Sequence, residues 1–144
     1  MQPTFIDLGL PSGTLWAAEN EPGYHQFDKA VKTFGDMLPP AEAWQELFNH
    51  CSHKWDNDRK GYVLTARNGN SIFLPANGWQ DWNKETKELN DRVHYVGCHG
   101  LYLSSSPDEY GDHPMNVYFC KQYVAPQSHA SRFSGFSVRL CKSK

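Results

Sequence analysis

The alternation of apolar and polar positions is clearest toward the carboxy terminus. Residues 101–106, 116–120 and 132–141 form three short runs split by Gly, Pro, Ser and Asp, and they predict strands joined by loops. In the middle run Val117 and Phe119 fall on one face, and Asn116, Tyr118 and Cys120 on the other, because strand side chains alternate. Phe136, Val138 and Leu140 repeat the alternation. One face is therefore core. The other carries Tyr, Asn and small polar residues, and the intervening loops carry Tyr110, Tyr123, His129 and Phe133. Aromatics among small polar residues suit protein recognition, since they give large contact area with few rotors to freeze.

Upstream, residues 4–8 predict a first strand, residues 11–13 a turn, and residues 14–17 a second strand with Trp16 in the core. Glu21-Pro22-Gly23 predicts a break. Asp28 is placed to cap a short helix over residues 29–34, ended by Gly35, with Ala30, Val31 and Phe34 as its apolar stripe. After Leu38-Pro39-Pro40 comes a second helix of about three turns, with Pro40 at its first position. Trp44, Leu47, Phe48 and Cys51 follow the i, i+3, i+4, i+7 spacing of its buried face. Residues 61–66 and 71–75 read as a hairpin around Asn68-Gly69. Residues 76–95 are polar and predict a long loop, with Trp79 as a core anchor and Trp82 open between core and surface.

Composition narrows the classes. A chain of 144 residues suits one domain. A net charge of −2 gives no reason to expect a nucleic acid or an anionic membrane as partner. An aromatic fraction of 14% with 21% charged residues fits a loop-rich folded domain and not a disordered one. No apolar run approaches the roughly 20 residues of a membrane-spanning helix, so no membrane insertion is expected. The segment Met-Gln-Pro-Thr lacks the basic and apolar blocks of a signal peptide. The four cysteines, Cys51, Cys98, Cys120 and Cys141, have no CxxC spacing. Cys51 and Cys141 are expected as buried thiols, and the sequence leaves a disulfide open.

Catalytic motifs are missing. There is no GxSxG, HExxH, P-loop or GxGxxG. Ser104-Ser105-Ser106 has no local base. Cys98 and His99 are adjacent, so on a strand they point apart and form no catalytic pair. His50 and His53 would share a helix face if the second helix ran that far, but a third and fourth ligand for zinc are not evident. Asp108, Glu109 and Asp112 around Gly111 lack EF-hand spacing and read as a solvated loop. The expectation is a protein that is not an enzyme and holds no metal or cofactor.

Several motifs carry a resemblance. Residues 6–16 (Ile-Asp-Leu-Gly-Leu-Pro-Ser-Gly-Thr-Leu-Trp), residues 38–47, residues 68–76, Ser104-Ser105-Ser106-Pro107 and residues 135–140 (Gly-Phe-Ser-Val-Arg-Leu) together resemble the major paralogous domain of Bacteroidetes and Fibrobacter surface proteins. That domain resembles the C-type lectin fold in its formylglycine-generating-enzyme variety. The resemblance implies one α+β domain over residues 1–144, loop-rich, with two helices packed on a small twisted, mostly antiparallel sheet. Its ligand face would lie in about residues 100–135. The Glu-Pro-Asn and Gln-Pro-Asp motifs of calcium-dependent sugar readers are absent, and Trp55-Asp56-Asn57-Asp58 is only a near match to Trp-Asn-Asp. No motif matches the paired-cysteine copper site of the oxidase relatives.

One subgroup of that fold, the variable proteins of diversity-generating retroelements, is mutated at template adenines, chiefly in Asn codons. Here the comparable positions read Asn116, Tyr118, Cys120, Tyr123, Ala125, Ser128, His129, Ala130, Ser131, Phe133 and Ser134, all compatible with two randomised bases before a terminal pyrimidine. Lys121, Gln122 and Gln127 break that code and would be fixed scaffold. The resemblance thus implies a non-enzymatic display domain that binds a protein or glycan. Its expected location is a cell surface, the extracellular medium or a virion. The expected ligand-binding residues are Tyr102, Tyr110, Asn116, Tyr118, Cys120, Tyr123, Ala125, Ser128, His129, Ser131 and Phe133. The alternatives are a structural or adhesin module without diversification, and a degenerate oxidase of the formylglycine-generating type.

Overall fold

The computed structural model describes residues 4–107, 114–129 and 131–144, with the side chain of His129 outside that set. In chain order the elements are β1 (Phe5–Asp7), β2 (Leu15–Ala17), β3 (Glu21–His25), α1 (Phe27–Phe34), a 3₁₀ turn (Gly35–Met37), α2 (Ala41–His50) and β4 (Cys51–Asp56). They continue with β5 (Gly61–Ala66), β6 (Ser71–Pro75), β7 (Trp79–Trp82), β8 (Leu89–His94) and β9 (His99–Pro107). The last are β10 (Pro114–Cys120), β11 (Tyr123–His129), β12 (Phe136–Val138) and β13 (Cys141–Lys142). The class is α+β: two α-helices among several small sheets, mostly strand.

The largest sheet has the order β11-β10-β9-β12-β3, antiparallel except where β12 runs parallel to β9. Three smaller sheets are β1-β2-β13, β4-β5-β6 and the β7-β8 hairpin. Strand β9 feeds two cores from its two faces. Tyr102 points one way, opposite Val117 of β10, into a core with Trp16, Trp44, Leu47, Leu64, Leu74 and Phe119. Leu103, with half-buried Leu101, points the other way, against Phe27 and Ala30 of α1 and Phe136, Val138 and Leu140. Each core therefore takes alternate residues of one strand, as the pleat requires.

The stripe of α2 is buried as spaced, with Cys51 just past the end of the helix, whereas that of α1 is not. Trp44, Leu47, Phe48 and Cys51 are all buried, and the Trp44 indole donates its N–H to Leu103 O at 3.2 Å. Helix α1 starts earlier than expected, at Phe27, with Gln26 as its N-cap and Asp28 inside its first turn. Its buried residues are Phe27 and Ala30, while Val31 is exposed. The Asn68-Gly69 turn joins β5 and β6 as expected, with Gly69 at φ +89°.

Four segments differ from the sequence reading. Residues 21–25, expected as a break, are strand β3. Residues 51–56 form β4, so the helix ends at His50, and His53 lies on a strand instead of one turn further along a helix. Residues 76–95, expected as a loop, hold the β7-β8 hairpin, and residues 123–129 form β11. The hairpin seats itself by close backbone approach: Gly78 (φ +68°) donates its N–H to His99 O at 2.7 Å. A Cβ there would meet His94 O at 1.8 Å.

Arg139 is fully buried and joins the cores. It donates to Asn20 Oδ1 at 2.8 Å, to Ala17 O at 3.0 Å and to Phe73 O. Burial pushes its pKa down from the ordinary guanidinium value. Asn20 donates in turn to the Tyr102 hydroxyl at 2.9 Å, which donates to Pro75 O at 2.7 Å. A buried cation with its N–H groups taken by carbonyls avoids the cost of an orphaned charge.

Candidate ligand-binding face

The register of the large sheet assembles one outward row. His99 pairs with Cys120, which pairs with Tyr123, and Tyr118 pairs with Leu101 and Ala125. The pleat sets His99, Tyr118, Cys120, Tyr123 and Ala125 on one face, and diagonal neighbours meet across it. Tyr118 and Tyr123 have ring centroids 5.7 Å apart, and His99 stands edge-on to Tyr118 at 5.1 Å. The string continues: Tyr95 stacks on His99 at 4.4 Å, and His94 stacks on Trp79 at 4.4 Å. Tyr95 is 57% exposed, Val96 61% and Tyr123 56%, so the string ends in an accessible aromatic and aliphatic rim. Burial, then the neighbouring Tyr123 hydroxyl, push the Tyr118 phenol up to about 12.

The expected residues divide. Tyr123 is exposed, and Tyr118, Ala125, Ser128 and Ser131 are half-buried. Tyr110 lies outside the described residues, as do the side chain of His129, Ala130 and the Asp108, Glu109 and Asp112 loop.

Three expectations need correction. Tyr102 is fully buried, because its pleat position faces the core of Trp44 and Phe119 and its hydroxyl is held by Asn20 and Pro75. Asn116 is 1% exposed, since β9 and β11 flank it at Leu103 and Ser128. Its Oδ1 has no hydrogen-bond partner among the described residues. Cys120 is nearly buried, at 9%.

Phe133 is half-buried but belongs to a different group. Its ring lies 4.8 Å from Trp82, and Lys87 Nζ sits 5.1 Å from Phe133 and 5.2 Å from Trp82, over both rings. Gln26 Nε2 donates to the carbonyls of Lys87 and Phe133, both at 2.7 Å, which ties the group to the start of α1. Phe133 lies in the segment between β11 and β12, two strands that β10 and β9 separate in the sheet. The sequence left Trp82 open between core and surface and placed Lys87 in the polar loop of residues 76–95. The tertiary fold makes both part of a cation–aromatic cluster.

A cavity of about 370 Å³ opens beside the aromatic row, at its His99 and Cys120 end. Trp55, Asn57, Lys60, Lys121 and Gln122 are among its walls. None of these five was expected as a ligand-binding residue: Trp55 lies near the end of β4, and the others come from the β4-β5 and β10-β11 turns. Their one signal was Trp55-Asp56-Asn57-Asp58, the near match to Trp-Asn-Asp.

Backbone strain concentrates at the two surface groups. Lys60 (φ 59°), Lys87 (φ 63°) and Tyr95 (φ 60°) are the left-handed non-glycine residues among those described. Lys60 walls the cavity, Tyr95 stacks on His99 of its lining, and Lys87 lies over Trp82 and Phe133. Each such residue costs on the order of 1 kcal/mol and persists where the surroundings over-determine it, which is common at ligand sites.

All four cysteines are free thiols: Cys51, Cys120 and Cys141 buried, and Cys98 exposed. Burial pushes the Cys51 thiol up, and the Cys141 thiol up to about 11. No group of three or more His, Cys, Asp or Glu residues able to hold a metal ion occurs among the described residues. Among the described residues no helix is long and apolar enough to cross a membrane. Comparison of the chain with family models, with curated proteins and with solved structures returns no match.

Proposed function

We propose that the protein is a non-catalytic recognition domain that binds a ligand through the face built by β9, β10 and β11 and the rim of the β8-β9 turn. One observation carries the reading: Tyr95, Val96 and Tyr123 are more than half exposed while belonging to or adjoining a packed aromatic string. Large apolar side chains held rigid yet open to water lose little entropy on binding and bury much area, which is the behaviour of interface anchors. The finer reading, a C-type-lectin-like display domain at a cell or virion surface, rests on the motif resemblance.

Retroelement diversification rests on the code-compatible positions. Tyr118, Tyr123, Ala125, Ser128, Ser131 and Phe133 keep solvent exposure and would tolerate change, whereas Asn116, Cys120 and Ser134 would need repacking. Adjoining DNA that encodes a reverse transcriptase and a near-copy of codons ~100–140, the span of the last sheet strands, supports diversification; its absence removes that part.

The test of the face is substitution of Tyr118 and Tyr123 by Ala, with wild type and variant screened on protein and glycan arrays. Capture should be lost while the melting temperature moves only a few degrees, as for surface changes. Capture that survives the double substitution overturns the assigned face.

A further inference from the structure

The cavity beside the aromatic row has a charge pattern that the face alone does not explain. Two ammonium side chains, Lys60 and Lys121, line it, and no Asp or Glu does. Both lysines are exposed, and neither forms a salt bridge among the described residues. The nearest carboxylate in sequence to the Trp55 wall, Asp56, is engaged: it accepts from Arg59 Nε at 2.8 Å and from the backbone N–H groups of Asp58 and Arg59. A cationic recess in a chain of net charge −2 is a local reversal of sign.

Lys60 is also positioned by its backbone. Its N–H donates to Asp56 O at 2.8 Å, and its carbonyl accepts from Ala76 N–H at 2.9 Å. Those two bonds hold it in the left-handed region. Gly97 packs against its side-chain stem, with Lys60 Cγ 3.7 Å from where a Cβ would stand. Gly97 in turn donates to Ala76 O at 2.7 Å, so the β4-β5 turn and the β8-β9 turn share one anchor residue. The cavity's second cation comes from the β10-β11 turn, where Lys121 precedes Gln122 and Tyr123. Three turns thus converge on one recess. Exposed Tyr95 and Val96 directly precede its lining residue Gly97, and exposed Tyr123 directly follows its lining residue Gln122.

Resting on the recognition reading above, we infer that the ligand is an acidic segment of a protein partner. One Asp or Glu carboxylate of that segment enters the recess between Lys60 and Lys121. Its apolar neighbours lie on Tyr95, Val96 and Tyr123. Charge complementarity selects the carboxylate. The aliphatic and aromatic rim selects a peptide over a sugar, whose polar edges would leave Val96 without a matching surface. The volume of about 370 Å³ sits at the small end of the roughly 300–1,000 Å³ range for ligand pockets and suits one side chain.

The experiment pans a random-peptide phage library on the purified full chain. The enriched peptides are then titrated by calorimetry against wild type, the Lys60→Gln Lys121→Gln pair, and the Tyr118→Ala Tyr123→Ala pair. Enriched peptides should share an Asp or Glu beside an apolar residue. The lysine pair should weaken them by about tenfold or more, as should replacing that acid by its amide, because a charge-assisted bond is lost. The two changes together should cost little more than either alone.

Enriched peptides without an acid, or unchanged affinity in the lysine variant, overturn the recess assignment. If the tyrosine pair still abolishes binding in that event, the face reading stands without it. No enrichment at all, with lysine-dependent binding of acidic oligosaccharides on the glycan array, overturns the peptide occupant in favour of a sugar acid. Both lysines are exposed, so the variants should retain the wild-type melting temperature.

Discussion

Two aromatic assemblies in this protein use the same residue types to opposite ends. In the core, Trp16 and Trp44 pack at 4.7 Å, Trp44 meets Tyr102 edge-on at 5.6 Å, and Tyr62 meets Phe119 edge-on at 5.2 Å. His94, Tyr95, His99, Tyr118 and Tyr123 form the second assembly, which starts on half-buried Trp79, packed against the second core as expected, and runs out to the surface. The difference lies at the polar tips. The core hydroxyls are anchored to backbone carbonyls: Tyr62 to Cys120 O at 2.7 Å, and Tyr102 to Pro75 O at 2.7 Å. The surface string instead leaves Tyr95 and Tyr123 more than half in water. An aromatic with its tip fixed serves stability, and one with its tip in water is available to a partner.

The sharpest way to break that contrast is to remove a core ring. Trp44→Ala deletes a fully buried indole that touches Trp16, Phe48 and Tyr102. It should destabilise by about 3–5 kcal/mol in urea unfolding. A loss under about 1 kcal/mol, the size typical of an average substitution, would refute the packing.

A smaller cut targets only the tip. Tyr102→Phe leaves Pro75 O and Asn20 Nδ2 short of a partner inside the core and should cost about 1–3 kcal/mol. Tyr123→Phe on the rim should stay within about 0.5 kcal/mol. Equal effects would erase the distinction between the assemblies.

Alkali should act through the buried groups. The folded Cys141 thiol is raised to about 11 from an ordinary value of 9.0, so the native state holds its proton where the unfolded chain has released it. Stability from that group is complete below about pH 9 and is lost as pH rises toward 11. Tyr118, raised from 10.0 to about 12, adds a loss in the next interval. Urea midpoints should therefore fall between pH 9 and pH 11, and Cys141→Ala should flatten that part of the profile. An unchanged slope in the variant would count against the burial of this thiol as the cause.

The smallest effect sharpens the link between strain and site. Lys60→Gly removes a side chain from a left-handed backbone and should raise stability by about 1 kcal/mol while weakening acidic-peptide binding. A destabilised variant would mean that Lys60 holds the turn for structural reasons alone.

Much of the fold was legible in the chain. Both helices, the hairpin of β5 and β6, and the burial of Val117, Phe119, Phe136, Val138 and Leu140 were legible from local pattern, although Ser137 and Arg139 between the last three are buried as well. The strands that escaped notice share a physical cause. In the large sheet β3 and β11 are the two edges, β4 is an edge of its sheet, and β7 and β8 make a two-stranded hairpin. An edge strand leaves one side of its ladder unpaired, so it tolerates Pro22 in β3 and Pro126 in β11, residues that read as breakers. It also tolerates a polar run such as Ser52-His53-Lys54, all exposed in β4, which hides the two-residue period. In β7 a register shift between Gln80 and Trp82 disturbs the alternation outright.

The candidate site shows the same division. Alternation set Tyr118 on the polar face and Tyr123 was assigned to a loop; the first is half-buried and the second exposed, whereas Asn116 and Cys120, marked by the same alternation, and Tyr102, marked with them, are buried by the flanking strands and the core of Trp44 and Phe119. Pleat periodicity says which residues share a face. It does not say whether another layer covers that face, because this depends on elements distant in sequence.

By itself, then, the sequence determined the two helices, the central strands and which residues of a strand share a face, since those depend on side-chain period and turn chemistry over a few residues. The tertiary structure alone decided that Phe133 leaves the tyrosines for Trp82 and Lys87, and that Trp55, Lys60 and Lys121 meet around one recess. Such meetings are made between turns dozens of residues apart, and only the packing of the sheets fixes which turns become neighbours.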